Sequence, residues 1–247
     1  MKKCILTLLI SVFAVSTASA QWGTISGKVI VKGDLPEAVL RFAKGKAANN
    51  PEVCSATDVY DNGLLIDKDT KGVANCFVYL YKTPDEINDD GFDPKATVYF
   101  DQEKCFFKPH AMIVRAGQTV EVLNSDPIAH NTRTNGVVLQ ENILVGANTS
   151  KGQGVEIQTE EKERVPVKVN CDYHKKMVAY WLVVEHPYAA VTNEKGEFTI
   201  KNLPVGEHVF RVWHERCGWV ERKFEVTVTN GESKVPALVV DVDKFEE

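Results

Sequence analysis

Apolar and polar side chains alternate with a period of two along much of the chain, and this pattern predicts short strands. Residues 22–33 alternate in this way and end in a glycine turn. Later runs of the same kind are separated by turns at Gly196, Gly206 and Gly231, which is typical of an antiparallel sandwich. After residue 20, no pattern indicates a helix longer than a turn or two. The sequence therefore predicts an all-β protein.

Residues 72–81 form a predicted strand that is apolar on both faces. One face carries Cys76, Val78 and Leu80, and the other carries Phe77, Tyr79 and Tyr81. Because successive side chains of a strand point to opposite faces, we expect this strand to be covered on both sides. The preceding residues 34–58 lack a period and are predicted to be irregular.

The stretch with the most chemistry begins at Cys171. Residues 165–171 alternate valine or cysteine with polar residues or proline, so this strand directs the cysteine into a core. The apolar run at 181–184 predicts the next strand. Cys171, His174 and Met177 are therefore expected on a loop between two strands of one sandwich.

A second histidine, His130, follows a predicted strand at 117–124. The two histidines and Cys171 offer two imidazoles and a thiolate, and Met177 adds a more distant thioether. This is the donor set of a blue-copper centre, because thiolate and thioether suit Cu(I) and imidazole suits Cu(II). A site that holds both oxidation states in one geometry is what outer-sphere electron transfer requires.

Residues 105–184 resemble the cupredoxins, the small blue copper proteins of the plastocyanin and amicyanin type. The motifs that carry the resemblance are Phe107-Lys-Pro109, Val114-Arg-Ala-Gly117-Gln-Thr-Val120, Asn124, His130-Asn131 and the Cys-x2-His-x2-Met loop. The resemblance implies a Greek-key β-sandwich with one copper ion per chain. It makes His130, Cys171 and His174 the equatorial ligands and Met177 the axial ligand. We also expect Asn131 to brace the loop by hydrogen bonding near the thiolate.

The end of the chain is similar to the carboxypeptidase regulatory-like domains, which are small prealbumin-like sandwiches. Residues 191–212 carry that family's Gly-x-Phe-x-Ile and Leu-Pro-x-Gly pattern, and residues 23–33 and 73–81 resemble its earlier strands. The resemblance implies that the cupredoxin-like domain is inserted between strands of an outer sandwich. Three units in sequence are the alternative.

Four segments follow from these resemblances: a signal peptide at 1–20, a first part of the regulatory-like sandwich with an irregular segment at 21–95, the cupredoxin-like domain at 96–187, and the remainder of the outer sandwich at 188–247.

The first twenty residues have the order of a secretory signal peptide. Lys2 and Lys3 precede an almost wholly apolar run at 5–15, and Ala18-Ser-Ala20 supplies a cleavage signal. We therefore expect a periplasmic or secreted protein. No other stretch is long and apolar enough to span a membrane. A formal net charge of −5 disfavours nucleic acid as a partner.

Cleavage of the leader would remove Cys4 and leave an odd number of cysteines: Cys54, Cys76, Cys105, Cys171 and Cys217. In an oxidising compartment an even number should pair, and a metal-bound Cys171 accounts for the remainder. The other four allow three pairings, which the sequence does not distinguish. We favour Cys54–Cys105, with Cys76 and Cys217 either paired or buried as free thiols.

Three further histidines, His110, His186 and His214, are candidates for a second metal site if the two sandwiches abut. No short ligand spacing links them. We therefore favour the alternative that backbone or carboxylate partners satisfy each of them at the seam between the domains.

The sequence thus predicts an exported copper protein that passes single electrons to or from an unidentified partner protein and is not an enzyme. A Cys-His-His set with a bound water also suits catalytic zinc, but Met177 at axial spacing favours copper. A copper-binding or delivery module without a redox role is a rival hypothesis, and an envelope interaction protein is another.

Overall fold

A computed structural model of the protein describes residues 21–90 and 92–245. The proposed signal peptide at 1–20 lies outside these residues. The described residues form an all-β structure. In chain order the strands are β1 (Trp22–Lys32), β2 (Leu40–Phe42), β3 (Val59–Tyr60), β4 (Phe77–Leu80), β5 (Thr97–Glu103), β6 (Phe106–Lys108), β7 (Ala111–Arg115), β8 (Thr119–Val122), β9 (His130–Asn135), β10 (Asn142–Val145), β11 (Val155–Gln158), β12 (Val167–Asn170), β13 (Val178–Val184), β14 (Ala189–Val191), β15 (Glu197–Pro204), β16 (Gly206–His214), β17 (Gly218–Val228), β18 (Gly231–Lys234) and β19 (Leu238–Asp241).

Helical structure in the described residues is confined to two short pieces. The one-turn helix α1 spans Pro51–Cys54, and a 3-10 turn spans Val242–Phe245. This agrees with the absence of a helical period in the sequence. None of the described helices is long and apolar enough to cross a membrane.

The outer sandwich is built from the two ends of the described chain. In one sheet β1 pairs with β15, β18 and β19, and the other sheet has the order β14-β4-β16-β17. Ile25, Val78 and Phe210 belong to the core between these sheets, and each is fully buried. Strands from before residue 81 and after residue 188 therefore share both sheets.

The inner sandwich contains the strands from β5 to β13. Its sheets have the orders β10-β9-β12-β13-β7 and β11-β8-β5-β6. Trp181 packs edge-to-face on Phe100, with ring centroids 4.9 Å apart, and Phe107 stacks on Phe100 at 5.0 Å. Aromatic pairs of this kind add about 0.5–1.5 kcal/mol each beyond their burial, so this trio stabilises the sandwich below the ligand loop.

Strand β4 is covered on both faces, as the pattern at 72–81 predicts, but Tyr81 follows its end and is 48% exposed. Val78 faces the core of the outer sandwich. Phe77 and Tyr79 face the inner sandwich, where they pack with Leu182 of β13. The seam also holds Trp213, whose ring centroid lies 6.0 Å from that of Phe77. The two sandwiches are thus joined by an apolar interface.

The connection from β1 to β4 leaves the outer sandwich and crosses the inner one. We call residues 41–54 of this connection the strap. Arg41 at its start forms an ion pair with Asp61 at 2.6 Å. Cys54 at its end forms a disulfide with Cys105, with the Cα atoms 5.0 Å apart. The favoured cysteine pairing is therefore present, and it fixes the strap to the turn between β5 and β6.

One part of the strand pattern is wrong. The alternation predicts that Val165 faces the core with its neighbours, but 41% of it is exposed. Strand β12 begins only at Val167. Val165 therefore lies before the strand and does not share its alternation of buried and exposed side chains. Val169 and Cys171, which follow in phase, are fully buried.

Candidate metal centre

The loop between β12 and β13 closes on itself through its backbone. The N–H of Met177 donates to the carbonyl of His174 at 2.8 Å, and the N–H of Cys171 donates to the carbonyl of Met177 at 3.2 Å. Cys171 and Met177 are buried, whereas His174 keeps 8% of its surface exposed. The strand pattern and these two bonds place all three side chains at one end of the inner sandwich.

His130, at the first position of β9, meets this loop from the neighbouring strand and is fully buried. Its Nδ1 lies 2.9 Å from Nδ1 of His174. The same His174 nitrogen lies 3.7 Å from Sγ of Cys171. One donor atom from each of His130, Cys171 and His174 lies within 4.8 Å of the other two. The structure therefore brings these three sequence-predicted residues together.

A carboxylate that the sequence analysis did not single out lies behind His130. Oδ2 of Asp126 accepts from Nε2 of His130 at 2.8 Å and from the N–H of Cys105 at 2.8 Å. Asn124 holds the turn in place by donating to the carbonyl of Ile128 at 2.8 Å. The position of Asp126 four residues before His130 could have indicated this hydrogen bond, because imidazole ligands of metals commonly donate their second N–H to a carboxylate.

His174 has its second contact on the strap. Its Nε2 lies 3.0 Å from Oδ1 of Asn50. The adjacent Asn49 donates to the carbonyl of Tyr173 at 2.6 Å. The strap therefore orients His174 from outside the sandwich. No local sequence signal indicated this contact, because the residues are 124 positions apart.

Asn131 lies beside the thiol, where the resemblance placed it. Its Oδ1 accepts from the N–H of Asp172 at 2.7 Å and lies 3.2 Å from Sγ of Cys171. Its Nδ2 donates to Oδ1 of Asn142 on β10 at 2.7 Å. These bonds tie the start of the ligand loop to two neighbouring strands.

The donors influence one another's protonation. Burial opposes ionisation of Cys171, but hydrogen bonds from His130 and His174 outweigh it and lower its pKa to about 6. Burial also opposes protonation of His130, but Asp126 and Cys171 raise its pKa to about 8. The hydrogen bond from His130, with those of Cys105 and Lys104, holds the pKa of the Asp126 carboxyl below its ordinary value despite burial. Cys171 and His130 therefore each favour the charged form of the other.

The contacts orient both imidazole rings. Nε2 of His130 faces Oδ2 of Asp126, and its Nδ1 faces Nδ1 of His174. Nε2 of His174 faces Oδ1 of Asn50. Each ring therefore turns Nδ1 towards the centre and Nε2 towards a fixed oxygen.

The disulfide lies against this centre. The sulfurs of Cys54 and Cys105 and a ring nitrogen of His174 lie within 4.8 Å of one another. One ligand atom from each of Cys105, Asp126 and His130 also lies within 4.8 Å of the other two. Elsewhere in the described part of the chain, Cys76 is a buried free thiol and Cys217 is a half-buried one.

The structure does not bring His110, His186 and His214 together as one group of ligands. His110 binds the carboxylate of Glu215 and lies 3.1 Å from the amide nitrogen of Asn62. His186 lies 3.1 Å from the carbonyl of Leu80. His214 accepts from the N–H of Arg216 at 3.3 Å. Separate partners satisfy the three rings, and within the described residues they do not group as metal ligands.

The donor set fits copper. Two imidazole nitrogens and a thiolate converge without rearrangement, and a thioether lies at the end of the same loop. Met177 is buried among Cys171, Trp181 and Phe107 in the core of the inner sandwich. A soft, largely water-excluded set of this composition suits copper better than Mg²⁺ or Ca²⁺, which prefer oxygen donors.

Comparison by sequence finds no matching family model and no matching curated protein. The resemblance of the outer sandwich to the carboxypeptidase regulatory-like domains therefore stays a prediction.

Some solved structures do resemble part of the chain. The copper-containing nitrite reductase NirK from Thermus scotoductus SA-01 is 18% identical over 36% of this chain, with a TM-score of 0.31. The chain covers 23% of that reductase. The purple cupredoxin of Nitrosopumilus maritimus is 20% identical over 36% of this chain and 100% of its own, with a TM-score of 0.29. Amicyanin from Paracoccus versutus is 16% identical over 43% of this chain and 97% of its own, with a TM-score of 0.30. Each of these matches covers less than half of this chain.

Proposed function

We propose that this protein is an exported blue-copper protein that carries single electrons. One copper ion per chain would be held by His130, Cys171 and His174, with Met177 as a weak axial donor. The observation that carries the proposal is that one ring nitrogen of each histidine and Sγ of Cys171 lie within 4.8 Å of one another. When bound, copper would supply a one-electron Cu(I)/Cu(II) couple.

The residues around the donors keep them in place when the oxidation state changes. Asp126 holds the ring of His130, Asn50 holds the ring of His174, and Asn131 holds the backbone beside Cys171. Hydrogen-bonded partners of this kind fix the orientation of metal ligands. A site that rearranges little suits an electron carrier.

The burial of the donors favours a carrier over an enzyme. Cys171 and His130 have no exposed surface. A catalytic metal needs an open position for substrate or water, and a nucleophilic cysteine needs an open approach. His174 is the most exposed of the predicted ligands, so we place electron exchange with the partner protein at its edge. The proposed location, periplasmic or secreted, depends on the leader at 1–20.

Voltammetry of the copper-loaded mature protein tests the proposal. We expect one copper per chain and one reversible one-electron wave. Cys217→Ser removes a thiol distant from the ligand loop and should change neither result. Copper that binds but shows no reversible wave, and that common chelators remove readily, would indicate a delivery module instead.

A further inference from the structure

We propose that Cys54 and Cys105 form, after reduction of their disulfide, a second copper site together with His174. This site would take Cu(I). It goes beyond the electron-transfer function and does not require Cys171. Since His174 belongs to both ligand groups, we place the second site on the route by which Cu(I) reaches the buried donors.

The proposal starts from distances. Both sulfurs and a ring nitrogen of His174 already lie within 4.8 Å of one another. Two thiolates bound to one metal ion at about 2.3 Å each are at most about 4.6 Å apart. The Cα atoms of Cys54 and Cys105 are 5.0 Å apart, so rotation of the side chains alone can open such a gap.

The two cysteines also face a cavity. They line a cavity of about 530 Å³ between the strap and the ligand loop, together with His174, Met177, Tyr173 and Phe106. Each cysteine is 7–8% exposed, whereas Cys171 is fully buried. A small thiol or a metal complex in the cavity therefore meets this sulfur pair before it meets Cys171.

The donors in the cavity favour Cu(I). Thiolates select soft ions such as Cu(I) and Zn²⁺. Zn²⁺ takes nitrogen, oxygen and thiolate donors and in structural sites needs four of them. Here the set is two thiolates and one imidazole, and the remaining sulfur in the cavity is the thioether of Met177. Thioether ligation suits Cu(I).

The redox step is an exchange with an external dithiol. The attacking thiolate bonds to one sulfur of the pair, and the Cys54–Cys105 bond breaks. The second thiol of the reductant then displaces the protein sulfur. The reductant leaves as a disulfide, and the two electrons and two protons remain on Cys54 and Cys105. Binding of Cu(I) then releases those two protons.

Cu(I) binding by Cys171→Ser protein tests this proposal apart from the blue-copper site. One sample is oxidised, and another is treated with dithiothreitol and freed of it under nitrogen. Both are titrated with Cu(I) in competition with bicinchoninate. We expect the reduced sample to bind one more Cu(I) per chain than the oxidised sample. Cys76 and Cys217 are free thiols in the described structure and are present in both samples.

Alkylation identifies the residues in the wild-type protein. In the reduced form, Cu(I) should abolish the reaction of Cys54 and Cys105 with iodoacetamide and leave that of Cys217 unchanged. The double variant Cys54→Ser/Cys105→Ser should show no additional Cu(I) on reduction. If reduction adds no Cu(I), if it occurs only with loss of the native circular dichroism spectrum, or if Cu(I) leaves both cysteines reactive, the disulfide is structural and the proposal is wrong.

Discussion

The carboxylate of Asp126 lies 2.8 Å from Nε2 of His130, while Nδ1 of the same ring faces His174. The carboxylate therefore fixes which nitrogen of His130 is directed into the centre. A carboxylate partner also makes the imidazole more basic and a stronger metal ligand. Both residues are almost completely buried, so water does not compete for this hydrogen bond.

Asp126→Asn should weaken copper binding because it removes the negative charge behind His130. Loss of such a partner typically reduces metal affinity by about 10- to 100-fold. We also expect a higher reduction potential, since Cu(II) loses more from a weaker imidazole donor than Cu(I) does. Competition titration and voltammetry measure the two effects. Asp101→Asn is the matched control, because Asp101 binds Ser125 and not a ligand. Equal effects of the two substitutions would contradict this role for Asp126.

Met177→Gln should lower the reduction potential. Glutamine offers a harder oxygen donor than the thioether, and a harder donor stabilises Cu(II). Copper should remain bound, since His130, Cys171 and His174 are unchanged. Voltammetry of the wild type and the variant gives the comparison. Equal potentials would show that Met177 only fills space in the core.

Copper affinity should fall as the pH decreases below about 8. In the metal-free protein the pKa of His130 is raised to about 8, and that of Cys171 is lowered to about 6. Copper must replace the second ring proton of His130, so between these values one proton competes with the metal. Below pH 6 the thiol proton competes as well. We expect a loss of roughly tenfold per pH unit for each competing proton. Competition titrations between pH 5.5 and 8.5 would show it, and an affinity that does not change with pH would contradict the pKa shifts of His130 and Cys171.

The protein should lose stability as the pH falls below 6.5 because of His214. Burial, with the nearby His110 and Arg216, lowers the pKa of this ring from 6.5 to about 3. Between these values the unfolded chain binds a proton that the folded chain excludes, which costs up to about 1.4 kcal/mol per pH unit. The free energy of unfolding is therefore unaffected by this group above pH 6.5, and it decreases as the pH falls from 6.5 towards 3.

Urea unfolding at several pH values measures the slope of the free energy of unfolding against pH. His214→Gln should flatten it, although the variant will be less stable at neutral pH because the ring packs on Phe245. His208→Gln, on the same strand, serves as the control and should leave the slope unchanged. An unaltered slope in His214→Gln would exclude His214 as its source.

The sequence predicted those features that depend on neighbouring residues. The alternation before Cys171 and the spacing to His174 and Met177 were sufficient to place a ligand loop between two strands. The two apolar faces at 72–81 likewise predicted a strand between two layers. Each of these depends on residues within one strand or one loop.

The sequence did not predict the contacts that surround the donors. Asn50 reaches His174 only because the strap crosses the inner sandwich and is fixed there by the disulfide. His110, His186 and His214 take separate partners, as the favoured alternative has it, because a shared seam does not imply a shared centre. Where residues meet across the fold, composition and spacing do not determine which partner each side chain takes.

The electronic absorption spectrum of the Cu(II)-loaded mature protein tests the central claim most directly. If Cys171 binds Cu(II) beside His130 and His174, the spectrum contains an intense visible band from thiolate-to-copper charge transfer. Cys171→Ser should abolish this band, because a serine hydroxyl stays protonated near neutral pH and is not a soft donor. A wild-type protein that binds Cu(II) without such a band, or a band that persists in Cys171→Ser, would contradict the blue-copper assignment.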